Sequence, residues 1–196
     1  MTDPLLLDVP VELTTERLVL RAHRPGDGAR LAQAVGESLD RLRPWLAFAQ
    51  AAPSPEDTER YVRRVGAQFA LREVLDYGGY LRAAPERFVL ACGFHTIDWA
   101  VPRLELGYWV RTGFEGRGLM REAVQALVAM AFDRLFAERL EIRCDADNVR
   151  SAAVARAAGF RLEGRLRRQT RTPDGRLRDT LVFARLRGEE ATGDDD

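Results

Sequence analysis

The sequence contains no lysine: all 30 basic residues of the 196-residue chain are arginine. They are balanced by 30 acidic residues, so the formal net charge is zero. Because a P-loop requires a lysine after its glycines, this class of phosphate site is excluded. Because the charge is balanced, there is no global electrostatic reason to expect nucleic acid or an anionic membrane as a partner, and we predict neither.

Cysteines and long apolar runs are also scarce. The two cysteines, Cys92 and Cys144, lie in apolar or alternating segments, where cysteine usually acts as a small buried side chain, so we predict no disulfide. No window reaches the ~18 apolar residues of a membrane span, and residues 1–13 lack the features of a secretory signal, so we predict a cytoplasmic protein. The length fits a single domain over residues 1–187, followed by an acidic mobile tail at 188–196.

Hydrophobic periodicity predicts a mixed α+β chain, with strands where apolar residues alternate and helices where they recur every three or four residues. The predicted helices run from Asp27 to just before Pro44, Pro55 to Leu75, Gly118 to Leu135 and Asn148 to Ala158. The predicted strands cover 16–21, 80–83, 87–97, 104–110 and 139–145, and a strand starting at 160–162 enters a last hairpin, 166–172 and 178–186. The expected breaks are Tyr77-Gly78-Gly79, Ala84-Pro85-Glu86 and Pro173-Asp174-Gly175. This order requires antiparallel hairpins and at least one parallel crossover.

A glycine-rich turn joins the strand that ends at Val110 to the third helix. Gly113, Gly116 and Gly118 remove side chains from the approach to a helix N-terminus, whose free N–H groups attract a phosphate. Taken alone, such a turn also occurs in many proteins that bind nothing there. A dinucleotide fingerprint is excluded, because it belongs in an early βαβ unit that this element order lacks.

Two segments resemble the GNAT acetyltransferases. Glu115 to Met120 is similar to their Q/R-x-x-G-x-G/A pyrophosphate loop, and Asn148-x-x-Ser151-x-x-Val154 through Gly159-Phe160 is similar to their second acetyl-CoA segment. Further segments resemble the RimJ/RimL branch, whose named members acetylate N-termini of ribosomal proteins: Leu104 to Trp109, Met120-x-Glu122-Ala123 and Leu162 to Leu166. Two positions depart from the general pattern, Glu115 in place of Gln or Arg and Met120 in place of Gly or Ala.

The resemblance implies a three-layer α/β/α fold, with a mixed, mostly antiparallel sheet that is splayed at the cofactor site. It also implies acetyl-CoA as co-substrate, no metal, direct attack by a primary amine, and a possible homodimer. A protein N-terminus is the nearest acceptor. A small-molecule amine or antibiotic remains an alternative acceptor, and a non-catalytic acyl-CoA-binding module remains an alternative function.

The resemblance also implies roles for particular residues. Ser151 would protonate the leaving thiolate, and Asn148 would hydrogen-bond the cofactor arm, although Asn148 could equally be a plain helix N-cap and Ser151 a small exposed helix residue. The implied cofactor-binding residues are Trp109, Val110, Glu115, Gly116, Arg117, Gly118, Leu119, Met120, Arg121, Asn148 and Ser151.

The base and the acceptor site are less well defined. Thr170 stands where members of the branch can carry a glutamate, and Thr cannot take a proton at neutral pH. Glu105 is the first candidate base, acting directly or through water, and His95 is the second, although each could instead have a purely structural role. An amine of lowered pKa would need no strong base. Trp45 is predicted to contact the acceptor, and the arginine-rich segment 161–187 could favour an acidic acceptor or simply form a solvated face.

Overall fold

A computed structural model describes residues 3–172 and 175–189, in which eight strands form one mixed sheet in the order β1-β2-β3-β4-β5-β6-β8-β7. The strands are β1 Glu12–Thr14, β2 Leu18–Ala22, β3 Leu75–Leu81, β4 Ala84–Asp98, β5 Arg103–Val110, β6 Arg139–Asp145, β7 Arg161–Arg171 and β8 Leu177–Leu186. The α-helices are α1 Gly28–Leu42, α2 Pro55–Ala70, α3 Leu119–Asp133 and α4 Val149–Ala157.

The sheet has helices on both faces, which confirms the predicted three-layer α/β/α arrangement. One buried cluster joins α3 and α4 to Leu20, Leu90, Leu106 and their neighbours in the sheet. A second, smaller cluster joins α1 and α2 to Tyr80 and Phe88 on the opposite face. No helix among residues 3–172 and 175–189 is long and apolar enough to cross a membrane.

The pairing of β5 with β6 is the single parallel pairing among the described strands, and it is short. It consists of the register pairs Arg103–Arg139, Leu104–Leu140 and Glu105–Glu141. Beyond them, β5 continues to pair with β4 as far as Val110, and β6 continues to pair with β8 as far as Asp145. The two strands therefore diverge and leave a V-shaped gap near the middle of the sheet, which confirms the predicted splay.

The segment between α2 and β4 differs from the sequence prediction. The second helix ends at Ala70 rather than Leu75, and Tyr77-Gly78-Gly79 lies inside β3 instead of ending the helix. Packing explains both glycines: a Cβ at residue 79 would stand 2.4 Å from Leu90 Cδ1, and one at residue 78 would stand 3.1 Å from a ring carbon of Tyr80.

Smaller differences concern turns and edges. The edge strand β1 was not predicted, and the turn expected at Ala84-Pro85-Glu86 instead precedes Ala84, where β4 begins. The segments around 162 and 166–171 form one continuous strand, β7, with irregular register against β8. Residues 173 and 174 of the predicted last turn, and residues 190–196 of the predicted acidic tail, lie outside the described residues.

Candidate active site

The glycine-rich turn lies at the open end of the gap, between β5 and α3. Gly113, Gly116 and Gly118 have φ values of +89°, +70° and +73°, which side-chain-bearing residues rarely adopt. A Cβ at residue 113 or 116 would meet nothing within 4 Å, so backbone conformation rather than space requires glycine there. Gly118 is the N-cap of α3 and supplies no side-chain cap, so the first N–H groups of the helix stay available for an anion.

A cluster of hydrogen bonds from the N-terminal segment holds this turn in place. Glu122 on α3 accepts hydrogen bonds from Thr15 Oγ1 at 2.6 Å and from the Arg17 backbone N–H at 2.8 Å. Arg17 Nε also donates to Glu122 at 2.6 Å, and Arg17 Nη1 donates to the Arg117 carbonyl at 2.8 Å. Arg17 thus ties the turn to the helix that follows it, a role that sequence reasoning missed because the two segments lie about 100 residues apart.

The atypical Glu115 is paired with two arginines. Its carboxylate accepts a hydrogen bond from Arg150 Nη1 at 3.2 Å and lies 3.8 Å from Arg41 Nε. Both guanidinium groups are largely exposed and lie next to the turn. Glu115 therefore offsets positive charge that would otherwise face an anion there.

The second predicted cofactor segment packs against β5. Asn148 is the N-cap of α4, and its Oδ1 accepts the Ser151 N–H at 3.1 Å. The Ser151 hydroxyl donates to the Tyr108 hydroxyl at 3.2 Å, and the Tyr108 hydroxyl donates to the Ser151 carbonyl at 3.0 Å. Burial raises the pKa of Tyr108, so its phenol stays neutral. Sequence reasoning did not select Tyr108, although its place on the strand entering the turn was visible.

The gap opens into a cleft of about 840 Å³ that contains most of the predicted site residues. The predicted residues that line it are Trp45, Glu105, Trp109, Val110, Glu115, Met120, Asn148 and Ser151. The others belong to the turn and the start of α3 but do not line the cleft: Gly116, Arg117, Gly118, Leu119 and Arg121. Leu119 is buried in the core below the turn.

Trp45 and Thr170 also line this cleft. The Arg178 guanidinium lies over the Trp45 ring, 5.0 Å from its centroid, and its Nη1 donates to the Pro44 carbonyl and to Asp145 Oδ2. Trp45 is 37% exposed, so part of the ring remains open to a ligand. Thr170 is exposed and pairs with Arg178 in the β7–β8 register.

Both candidate bases lie close to the point where β5 and β6 diverge. Glu105 is the last β5 residue paired with β6, and burial raises the pKa of its carboxyl group. His95 lies on β4, next to β5, and lines a second, mostly apolar cavity of about 400 Å³. This cavity and the cleft share lining residues Leu46, Gly107, Tyr108 and Trp109.

Comparisons with known proteins agree with this geometry. YdaF of Bacillus subtilis (strain 168), named as a candidate ribosomal N-acetyltransferase, is 32% identical over 161 residues, which cover 78% of this chain and 82% of that protein. The ribosomal-protein-serine acetyltransferase of Escherichia coli (strain K12) is 27% identical, covering 88% of this chain and 94% of that protein. The structure of RimL, a ribosomal L7/L12 alpha-N-protein acetyltransferase in complex with coenzyme A, superposes with a TM-score of 0.82 at 26% identity, covering 91% of this chain and 97% of that one.

Residues 17–161 match the family model described as an acetyltransferase (GNAT) domain, which is well over half of the chain. The chain therefore belongs to the GNAT acetyltransferase family and is an acetyltransferase.

Proposed function

We propose that this enzyme transfers the acetyl group of acetyl-CoA to the α-amine of a protein N-terminus. The observation that carries the proposal is the V-shaped gap between β5 and β6, which has an uncapped helix N-terminus at one side and the Asn148–Ser151 segment at the other. The acceptor class is supported by the names of the relatives in Bacillus subtilis and Escherichia coli and of the RimL structure.

The turn and the gap suit the two ends of acetyl-CoA. The first N–H groups of α3 would bind the pyrophosphate, helped by the exposed charge of Arg117 and Arg121. At Trp109 and Val110, β5 pairs with β4 but with no described residue on the side facing the gap. That edge of the backbone would bind the amide-bearing pantetheine arm as a neighbouring strand would. The Asn148 amide nitrogen would add a hydrogen bond to that arm.

Ser151 would act as the acid of the reaction. Its hydroxyl lies at the gap and is oriented by the Tyr108 hydroxyl, which stays neutral because burial raises its pKa. When the amine attacks the thioester carbonyl and the C–S bond breaks, Ser151 would supply the proton that the thiolate takes. Trp45, held by Arg178, would contact the acceptor at the far end of the cleft.

The remaining parts of the proposal come from the family resemblance. We infer a single catalytic domain over residues 1–187, a cytoplasmic location where acetyl-CoA is available, and a homodimer. Light scattering on the purified protein would test the homodimer, because a monomeric mass would contradict it.

The activity is tested by measuring CoA release from acetyl-CoA across N-terminal peptides with different first residues, together with small primary amines. Calorimetric titration with acetyl-CoA, run alongside, reports cofactor binding separately. We expect turnover with at least one peptide, and N-terminal acetylation of that peptide by mass spectrometry. Turnover confined to small amines would replace the acceptor class, and binding without any turnover would favour a non-catalytic acyl-CoA-binding protein.

A further inference from the structure

The chain has two histidines, and both meet the same buried carboxylate. His95 Nε2 lies 3.3 Å from Asp76 Oδ1, and His23 Nε2 lies 3.4 Å from Asp76 Oδ2. The Tyr61 hydroxyl donates to Asp76 Oδ2 at 2.8 Å. Asp76 is 4% exposed, and a carboxylate buried so deeply needs such partners to stay charged. The cluster therefore holds a fixed negative charge beneath the second cavity.

The fold brings His95 over β5 through a local irregularity in the sheet. The β4–β5 register shifts between Phe94 and Thr96, so His95 is the extra residue of a β-bulge, a feature that redirects a side chain. Its imidazole covers Gly107, where an added Cβ would stand 2.7 Å from His95 Nδ1. Glycine at residue 107 thus leaves the room that the imidazole occupies at the edge of the gap.

The tautomer of His95 follows from its partner. The surrounding histidines hold the pKa of Asp76 below its usual value despite burial, so the carboxylate is ionised and can only accept hydrogen bonds. His95 Nε2 must then carry the proton that it shares with Asp76. Nδ1 is then the unprotonated ring nitrogen, and it lies next to Gly107, which lines both cavities.

Strand alternation puts this nitrogen on the face of β5 opposite the proposed acid. Tyr108 contacts Ser151 on α4, on the α3/α4 side of the sheet. The neighbouring residue Gly107 points to the α1/α2 side, where it meets His95. This arrangement suits direct attack, because a base on one side can take the amine proton while an acid on the other side supplies a proton to the thiolate.

We propose that His95 Nδ1 is the general base that takes the proton of the acceptor amine, and that Asp76 is a positioning residue that fixes its tautomer and orientation. The assignment rests on the proposed acetyl transfer. As the C–N bond forms, one amine proton moves to Nδ1; as the C–S bond breaks, the thiolate takes the Ser151 proton. His95 then releases its proton to solvent, since its side chain is 45% exposed, and Ser151 recovers one.

Glu105 has a supporting role in this scheme. It is at the closed end of the V, where β5 and β6 still pair, and no residue that the structure describes hydrogen-bonds its carboxylate. Its charge acts on His95 and helps to raise the pKa of the imidazole. Glu105 would thereby stabilise the imidazolium that forms during the reaction.

The pH dependence follows from the groups around His95. The partial desolvation of the His95 ring alone would lower its pKa, but the hydrogen bond and charge of Asp76, with a contribution from Glu105, raise it above its usual value. Tyr61 and Arg64 of α2, together with His23, line the same cavity. Among residues 3–172 and 175–189, no group of three or more His, Cys, Asp or Glu side chains is arranged so that it could hold a metal ion.

The test is the pH profile of kcat/KM with a peptide acceptor, compared between wild type and His95→Gln, Asp76→Asn and His23→Gln. His95→Gln should lower kcat/KM by ~10²–10⁴-fold. It should also remove the ascending limb of the pH profile, which is due to deprotonation of the base, and leave acetyl-CoA affinity unchanged. Asp76→Asn should lower the rate and move that limb to lower pH, since it removes the charge that raises the His95 pKa. His23→Gln is the matched control: it removes a partner of Asp76 but should retain an ascending limb.

Three results would overturn the assignment. A His95→Gln enzyme within ~threefold of wild type with the same limb would remove His95 as base. A limb that disappears in Glu105→Gln but persists in His95→Gln would transfer the role to Glu105. An equal loss of kcat/KM in His23→Gln and His95→Gln, with lowered thermal stability in both, would indicate that the cluster has only a structural role. These results differ from a failure of the proposed function itself. In that case the wild-type enzyme would bind acetyl-CoA and acetylate no acceptor.

Discussion

Replacing Gly118 by aspartate tests the proposed pyrophosphate site most directly. Gly118 is the N-cap of α3 with φ +73°, a conformation that Asp and Asn visit more readily than other side chains. A carboxylate ~5 Å from a phosphate charge costs ~3 kcal/mol at an effective dielectric constant of ~20. Arg17 Nη2, 3.5 Å from where the new Cβ would stand, would screen part of this repulsion. We therefore expect acetyl-CoA affinity to fall by ~30–100-fold.

Gly118→Asn is the matched control, because it has the same shape and backbone preference without the charge. Calorimetric titration of both variants at low and high salt isolates the electrostatic part, since the Asp–Asn difference should shrink as salt screens it. Thermal unfolding of each variant checks that the fold is intact. Equal affinities for wild type, Asn and Asp variants would refute the placement of the pyrophosphate at this turn.

Three further outcomes are expected. Glu115→Gln should tighten acetyl-CoA binding by ~2–5-fold in titration, because it releases two arginines at the anion site; weaker binding would show that the carboxylate organises the turn. Ser151→Ala should lower kcat by a larger factor than it lowers acetyl-CoA affinity, and Tyr108→Phe should lower kcat by a smaller factor than Ser151→Ala does. A greater loss of kcat in Tyr108→Phe would indicate that the phenol is the acid. Glu122→Gln should cost ~1–2 kcal/mol in the free energy of unfolding by denaturant titration, since it weakens a charge-assisted network; an unchanged midpoint would contradict this reasoning.

The parts of the fold that follow from local sequence were predicted well. β6 has the bounds of its alternating pattern, and Asn148 caps α4 as its position before that helix suggested. The segment around Gly78 and Gly79 was predicted wrongly because glycine pairs usually mark turns. Here they are needed because Leu90 and other side chains pack directly over the strand, and those contacts come from distant segments.

In the candidate site, too, the parts that follow from local sequence were predicted and the parts that depend on distant segments were not. The turn and the Asn148–Ser151 segment are contiguous in sequence, so their pattern was sufficient to select them. The Asp76 cluster brings together His23, which follows β2, Asp76 in β3 and His95 in β4. Its geometry depends on the register of the sheet and on the bulge at His95. Asp76 adjoined the expected end of a helix, and no sequence spacing pointed to a carboxylate shared by both histidines.

The short parallel pairing of β5 with β6 also has a mechanical consequence. The strands on either side of it, β2 to β5 and β6 to β8, are each joined by longer antiparallel ladders. Three register pairs are thus the whole ladder between the two halves of the sheet. Helix α3 packs on β2, β4 and β5 of one half, and α4 packs on β6 and β7 of the other. Rotation of one half against the other would break few hydrogen bonds, so the width of the gap is held mainly by buried side chains that the two halves share, such as Leu106 and Ile142.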